Sequence, residues 1–129
     1  MKDMKQAHRL DASHNKYIKM TVPGSVTKAV LGDAISDLMT HEEYVHKHVL
    51  WDFSESSMGL NISDLREIIG ILRLYQPKGK NFAAKSAIVV PGVMHKAMVD
   101  MFITMSKMLP FKYAAFRDME SAIRFLVSD

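Results

Sequence analysis

The chain predicts a single α/β domain: one mixed β-sheet, opened by an N-terminal hairpin and continued by parallel strands, with about four helices packed against it. Three observations carry this. The apolar runs at residues 49–53 and 87–90 read as strands covered on both faces, because they lack the alternation of a half-exposed strand. Between such runs lie stretches whose apolar residues recur at helical spacing. Strands that alternate with helices imply parallel neighbours joined by right-handed crossovers. The 129 residues suit one domain, and a domain of this size buries about two-thirds of its unfolded surface.

Each element follows from local chemistry. Residues 4–10 and 17–22 alternate imperfectly between apolar and polar, and they flank Asp11-Ala12-Ser13-His14-Asn15, which is dense in turn formers. This pattern predicts a hairpin. Pro23 and Gly24 end it, and Ser25 or Thr27 caps a helix over 26–39 whose Leu31, Ala34, Ile35 and Leu38 face inward. The strand at 49–53 opens through a Ser-rich loop, 54–61, onto a helix beginning near Ser63. Leu65, Ile68, Ile69, Leu72 and Tyr75 form that helix's apolar face, with Arg66 and Arg73 opposite. The stretch 76–80, with Pro77 and Gly79, breaks the helix. The strand at 87–90 stops at Pro91-Gly92, and a third helix runs over 93–108 until Pro110. Residues 111–116 read as the last strand. Asp118 then caps a final helix that turns Met119, Ala122, Ile123 and Leu126 inward.

Composition excludes several functions. Hydrophobic residues make up 48% and charged residues 24% of the chain, a globular and not a disordered balance. The net charge of +3 comes from 17 basic residues scattered among 14 acidic ones, with no run that would grip a polyanion. No nucleic-acid partner is expected. The chain has no cysteine, so disulfides, thiolate nucleophiles and cysteine-ligated zinc are ruled out. Residues 1–15 are polar and lack the apolar core of a signal peptide. No apolar run approaches the ~18 residues that span a bilayer, so no stable membrane insertion is expected and the predicted location is the cytoplasm. No cofactor motif is present.

The order of motifs resembles the SpoIIAA-like family, relatives of the STAS and Sec14 (CRAL-TRIO) domains. Val49-Leu50-Trp51-Asp52-Phe53 resembles its W-D strand. Pro23 to Thr27 resembles the step into its first helix, and Ala87-Ile88-Val89-Val90-Pro91 its strand that opens onto a helix. Phe116-Arg117-Asp118, with Ala122 and Phe125-Leu126, resembles its closing segment. The resemblance implies a family largely without assigned chemistry. STAS relatives include regulators switched at a serine of a D-S-S-G-L segment, and Sec14 relatives bind lipids in an apolar pocket. In this chain the first segment reads Glu55-Ser56-Ser57-Met58-Gly59-Leu60, with Met58 inserted between the second serine and the glycine.

Several residues are candidate sites. Trp51 and Asp52 end a buried strand, where α/β folds place ligand crevices. Their plainer roles are packing between sheet and helix for Trp51, and accepting loop N–H bonds for Asp52. Ser56 and Ser57 are phosphorylation candidates, since a phosphate before a helix gains from its N–H donors and dipole. Otherwise they are turn residues. Met94, Met98, Met101, Met105 and Met108 fall at intervals of four, three, four and three, one stripe of a helix with Phe102 beside it. The stripe is either core or an adaptable surface for apolar ligands. His95 follows near that helix's start, where it could act as an acid or base.

Other clusters are less suited to chemistry. His41, Glu42, Glu43, His46 and His48 lack metal-ligand spacing, and Thr40 with Glu43 resembles a capping box. Lys78, Gly79, Lys80, Phe82 and Lys85 lack the P-loop pattern and read as a basic turn. No nucleophile or carboxylate pairs with His95, and no metal site is expected. The expected function is a non-enzymatic module that binds a small apolar, lipid-like ligand through Trp51, Asp52, Met94, His95, Met98 and Met101. The alternative is a protein-interaction module of the anti-sigma-factor-antagonist type, switched in the 54–61 loop. Expected partners are thus an apolar small molecule, another protein, or a second copy in a homodimer.

Overall fold

The computed structural model describes residues 8–74, 84–90, 93–105, 107 and 112–128, with the side chains of 58, 73–74 and 93–96 outside that description. In chain order the first half runs β1 (Arg9–Asp11), β2 (Tyr17–Thr21), β3 (Gly24–Val26), α1 (Lys28–Met39), β4 (His48–Asp52) and β5 (Ser56–Met58). The second half runs α2 (Ile62–Leu74), β6 (Lys85–Val89), α3 (Val93–Met105), β7 (Lys112–Phe116) and α4 (Met119–Val127). The main sheet has five strands in the order β1-β2-β4-β6-β7. Among its described strands, only the β1–β2 pairing is antiparallel. This is the expected mixed sheet, opened by a hairpin.

The parallel strands are laid down in one direction, so each right-handed crossover returns on the same face. The helices α1, α2 and α3 therefore share one side. Against them pack Ile18, Met20, Val49, Trp51, Ile88 and Val90. The opposite face carries Tyr17, Leu50, Ala87 and Val89, covered by Ala122 and Leu126 of α4. One helix thus closes a face that three close on the other side.

Local signals set most boundaries. Thr27 caps α1 by accepting the Val30 N–H (3.2 Å), and Asp118 caps α4 by accepting that of Ser121 (2.7 Å). All four inward residues expected on α1 are buried. The helix α2 starts one residue before Ser63. There Asn61 and Asp64 exchange bonds, Asp64 N–H to Asn61 Oδ1 (2.9 Å) and Asn61 N–H to Asp64 Oδ2 (3.1 Å), a reciprocal cap.

Three expectations need correction. The hairpin's first strand reaches Asp11, whose carboxylate then organises the turn by accepting the Ser13 N–H (2.9 Å); residues 4–7 lie outside the described residues. Thr40 does not open a capping box with Glu43. Its hydroxyl donates back to Ser36 O (2.9 Å) and ends α1, and the short 3-10 turn Tyr44–His46 has no side-chain cap. The sheet is also accompanied by a second one, in which β3 and β5 pair in parallel. The reason is that β2 and β4 are parallel neighbours, so the chain leaving each runs beside the other. Gly24 N–H donates to Glu55 O (3.2 Å), and Gly59 N–H to Val26 O (2.8 Å). Gly24 holds φ +77° there, and a Cβ on Gly59 would lie 3.2 Å from Val26 O.

Because α4 is the one helix among the described residues that covers the second face, its contacts should be decisive for stability. Leu126 is 1% exposed and Val127 is 37% exposed. Leu126→Ala is expected to cost about 2–5 kcal/mol, and Val127→Ala less than about 0.5 kcal/mol. Urea melts of the two variants check this contrast.

Candidate functional site

The three-helix face is incompletely filled. Between α1, α2, α3 and the sheet lies a cavity of about 60 Å³. Its roof is Leu31 and Ile35 of α1, Leu65, Ile68 and Leu72 of α2, and Met98, Val99 and Phe102 of α3. Its floor is Trp51 and Phe53 on the β4 line, Ile88 of β6 and Tyr113 of β7, with Leu60 from the connection before α2. These roof positions are spaced three and four apart because that spacing puts them on one helix face. The floor positions are two apart within β4 for the same reason in a strand.

No charged side chain appears among these residues. So lined, it offers water few hydrogen-bonding partners. Its volume is below the ~150 Å³ of an engineered benzene-binding cavity. The Trp51 and Phe53 rings rise from β4 nearly parallel, with centroids 5.9 Å apart and planes at 9°. The rings of Phe102 and Tyr113 meet edge to face, 5.6 Å apart at 87°.

Burial acts on two phenols of this core. It pushes Tyr44, in the turn before β4, up from about 10 to about 12. It raises Tyr113 further, with a smaller contribution from the proximity of Tyr44. Both stay neutral over the range in which proteins usually work.

The structure divides the candidate residues. Trp51 and Met98 line the cavity. Asp52 does not, because successive strand residues point to opposite faces. Its Oδ1 accepts the Ser54 N–H (2.9 Å), and Lys19 Nζ stands 3.9 Å from Oδ2, so it holds the strand end. Met101 is 39% exposed and outside the lining. The side chains of Met94 and His95 lie outside the described residues, as does all of Met108. Of the stripe's described side chains, Met98 and Met105 are half-buried and Met101 is exposed, so they do not by themselves make the packed face of α3. That face centres on buried Val99, with half-buried Phe102 and Ile103 beside it, and Met98 borders it. Taking the helix phase from all the apolar positions of α3, and not from its methionines, would have pointed to Val99 and Phe102.

The serines also separate. Ser56 is 8% exposed, and its hydroxyl donates to Phe53 O (2.7 Å). Ser57 is exposed on β5. The start of α2 already holds the Asp64 carboxylate, which disfavours a second anion there. Lys85 does not face a phosphate site. Its ammonium donates to Phe125 O (3.1 Å) and to Ser128 O, closing the C-terminal end of α4. Lys78, Gly79, Lys80 and Phe82 lie outside the described residues. His41 Nδ1 accepts the Glu43 N–H (3.1 Å), a local turn bond. Among the described residues, no group of three or more His, Asp or Glu could hold a metal ion. No helix among them is long and apolar enough to cross a membrane.

Four chains of solved structures match this protein. One is the crystal structure of an uncharacterized protein of the DUF3478 family with a SpoIIAA-like fold, from Shewanella loihica PV-4. It matches with a TM-score of 0.59 and 16% identity over 98% of each chain. The fold is SpoIIAA-like. The resemblance read from the W-D strand and its flanking motifs is therefore a likeness of whole architecture. No known protein family and no curated protein matches the sequence itself, and at 16% identity the SpoIIAA-like likeness extends to the fold alone.

Two measurements follow. Folding holds Tyr44 neutral, so its contribution is intact below pH 10 and falls as pH rises from about 10 to about 12, by up to about 3 kcal/mol. Tyr44→Phe should remove that part of the loss of stability in denaturant melts across that window, leaving the part due to Tyr113. Ser56→Asp would bury a carboxylate and should cost about 2–4 kcal/mol, whereas Ser57→Asp should stay within about 0.5 kcal/mol. Thermal melts of this pair distinguish the buried serine from the exposed one.

Proposed function

We propose that this protein is a non-enzymatic, cytoplasmic SpoIIAA-like module that holds a small apolar molecule between its sheet and α1–α3. The observation that carries the reading is the cavity itself, walled by apolar and aromatic side chains from six elements and the Leu60 connection. Met98, at its border, is flexible and polarizable and can yield to an incoming ligand. No carboxylate, imidazole or amine lines the cavity among the described residues, which supports binding over catalysis. The volume narrows the lipid-like class. At about 60 Å³ the space is far below the ~300 Å³ at which pockets begin to enclose drug-sized ligands. The occupant is a small molecule or the tip of a chain, and not a whole lipid.

A regulatory protein-interaction role is the second reading, favoured by the exposure of Ser57 on β5. A protein partner or a second copy of the chain would also find Ile62 and Met101 exposed, at 46% and 39%.

Trp51 is the only tryptophan and lines the cavity, so its fluorescence reports occupancy. Titration with n-hexane, cyclohexane and benzene should give a saturable change with at least one of them. Met98→Lys should abolish the change, because it sets an ammonium against the apolar wall. Met101→Lys should leave it intact. No saturable response of the parent protein to any of the three sinks the ligand reading. A dimer without adducts in native mass spectrometry would then favour the interaction role.

A further inference from the structure

Resting on the apolar-cavity reading, we propose that the cavity is selective for neutral, flat molecules of a single aromatic ring, and that it rejects aliphatic rings and carboxylates of the same size. Three independent features point this way. The first is the wall. Four of its residues are aromatic: Trp51 and Phe53 present near-parallel planes, and Phe102 and Tyr113 present a perpendicular pair. On the sheet, Ile88 lies between Trp51, which pairs directly with it, and β7, which carries Tyr113. A flat ring over Ile88 therefore has an aromatic residue to each side along the sheet. Each well-formed ring–ring contact adds about two- to tenfold to affinity beyond the area buried.

The second feature is thickness. The free space is about 60 Å³, so any six-membered ring has to displace wall atoms, and in a close-packed core that displacement costs more the thicker the ring. A planar ring demands less displacement than a puckered one of equal carbon number. Among the described lining residues, one unbranched, flexible side chain, Met98, is present to make room. The third feature is charge. With no Lys, Arg or His along the wall among the described residues, a carboxylate would enter without a partner. Burying an unpaired ion is costly enough to exclude it. A fatty acid therefore fails on two grounds, its head group and its length.

The test is a matched set: benzene, cyclohexane and benzoate, titrated against the full chain by calorimetry. Benzene should bind at least about tenfold more tightly than cyclohexane, and benzoate at least about 100-fold more weakly than benzene. Phe102→Leu keeps an apolar wall but removes one ring. It should reduce the benzene preference by about two- to tenfold while cyclohexane binding is retained. Tyr113→Leu serves the same purpose if the first variant does not fold. A benzene-to-cyclohexane ratio below about two, or a ratio unchanged in the folded variants, overturns the aromatic selectivity while leaving an apolar site in place. Benzoate binding as tightly as benzene overturns the neutrality requirement. If neither benzene nor cyclohexane binds, and n-hexane does not either, the apolar-cavity reading fails and this inference fails with it.

Discussion

Four parallel strands laid side by side in chain order impose the asymmetry of this molecule. With β2, β4, β6 and β7 added in one direction, right-handed crossovers place every connecting helix on the same face. The three connecting helices must then share that face, and α4 must close the other with Ala122 and Leu126. The pairing of β2 with β4 has a second consequence. It carries their exits out in parallel, and the small β3–β5 sheet forms where a loop was expected. Both the layered core and the mini-sheet beside it thus descend from one choice of strand order.

The cavity belongs to the crowded face. Three helices lie on a sheet whose middle residues, Trp51 and Ile88, are paired across strands. Rigid aromatic and branched side chains interdigitate less completely there than long flexible ones would. What remains is a small space with apolar and aromatic walls. Its polar neighbours are turned elsewhere. Asp52 holds the Ser54 N–H on the opposite side of the sheet. Lys85 is engaged with the last carbonyls of α4, and the buried phenols stay neutral.

The serine segment shows how context separates adjacent residues of the same type. On β5, Ser56 turns inward and bonds the carbonyl of Phe53, while Ser57 points out. The helix that follows already has its own acidic cap in Asp64. Any regulation through this segment has to act through Ser57 and through what its exposed side chain meets. The Ser56 hydroxyl is part of the connection between the two sheets.

Local patterns in the sequence were enough for the alternation of strands and helices and for the inward residues of α1. They also narrowed the first helix cap to Ser25 or Thr27 and placed the last at Asp118, because caps depend on residues within a turn of one another. The period of two along a strand likewise sends Trp51 and Asp52 to opposite faces, so adjacency in sequence argues against one site shared by both side chains. Other features were not legible. Methionine identity suggested a stripe on α3, yet burial chose the phase through Val99 and Phe102, since helix rotation is decided by the partner surface. Strand order, the β3–β5 pairing and the meeting of Trp51, Met98, Phe102 and Tyr113 around one cavity were decided only by the tertiary structure. Each depends on contacts between segments tens of residues apart, and a local pattern carries no information about which distant neighbour it will meet.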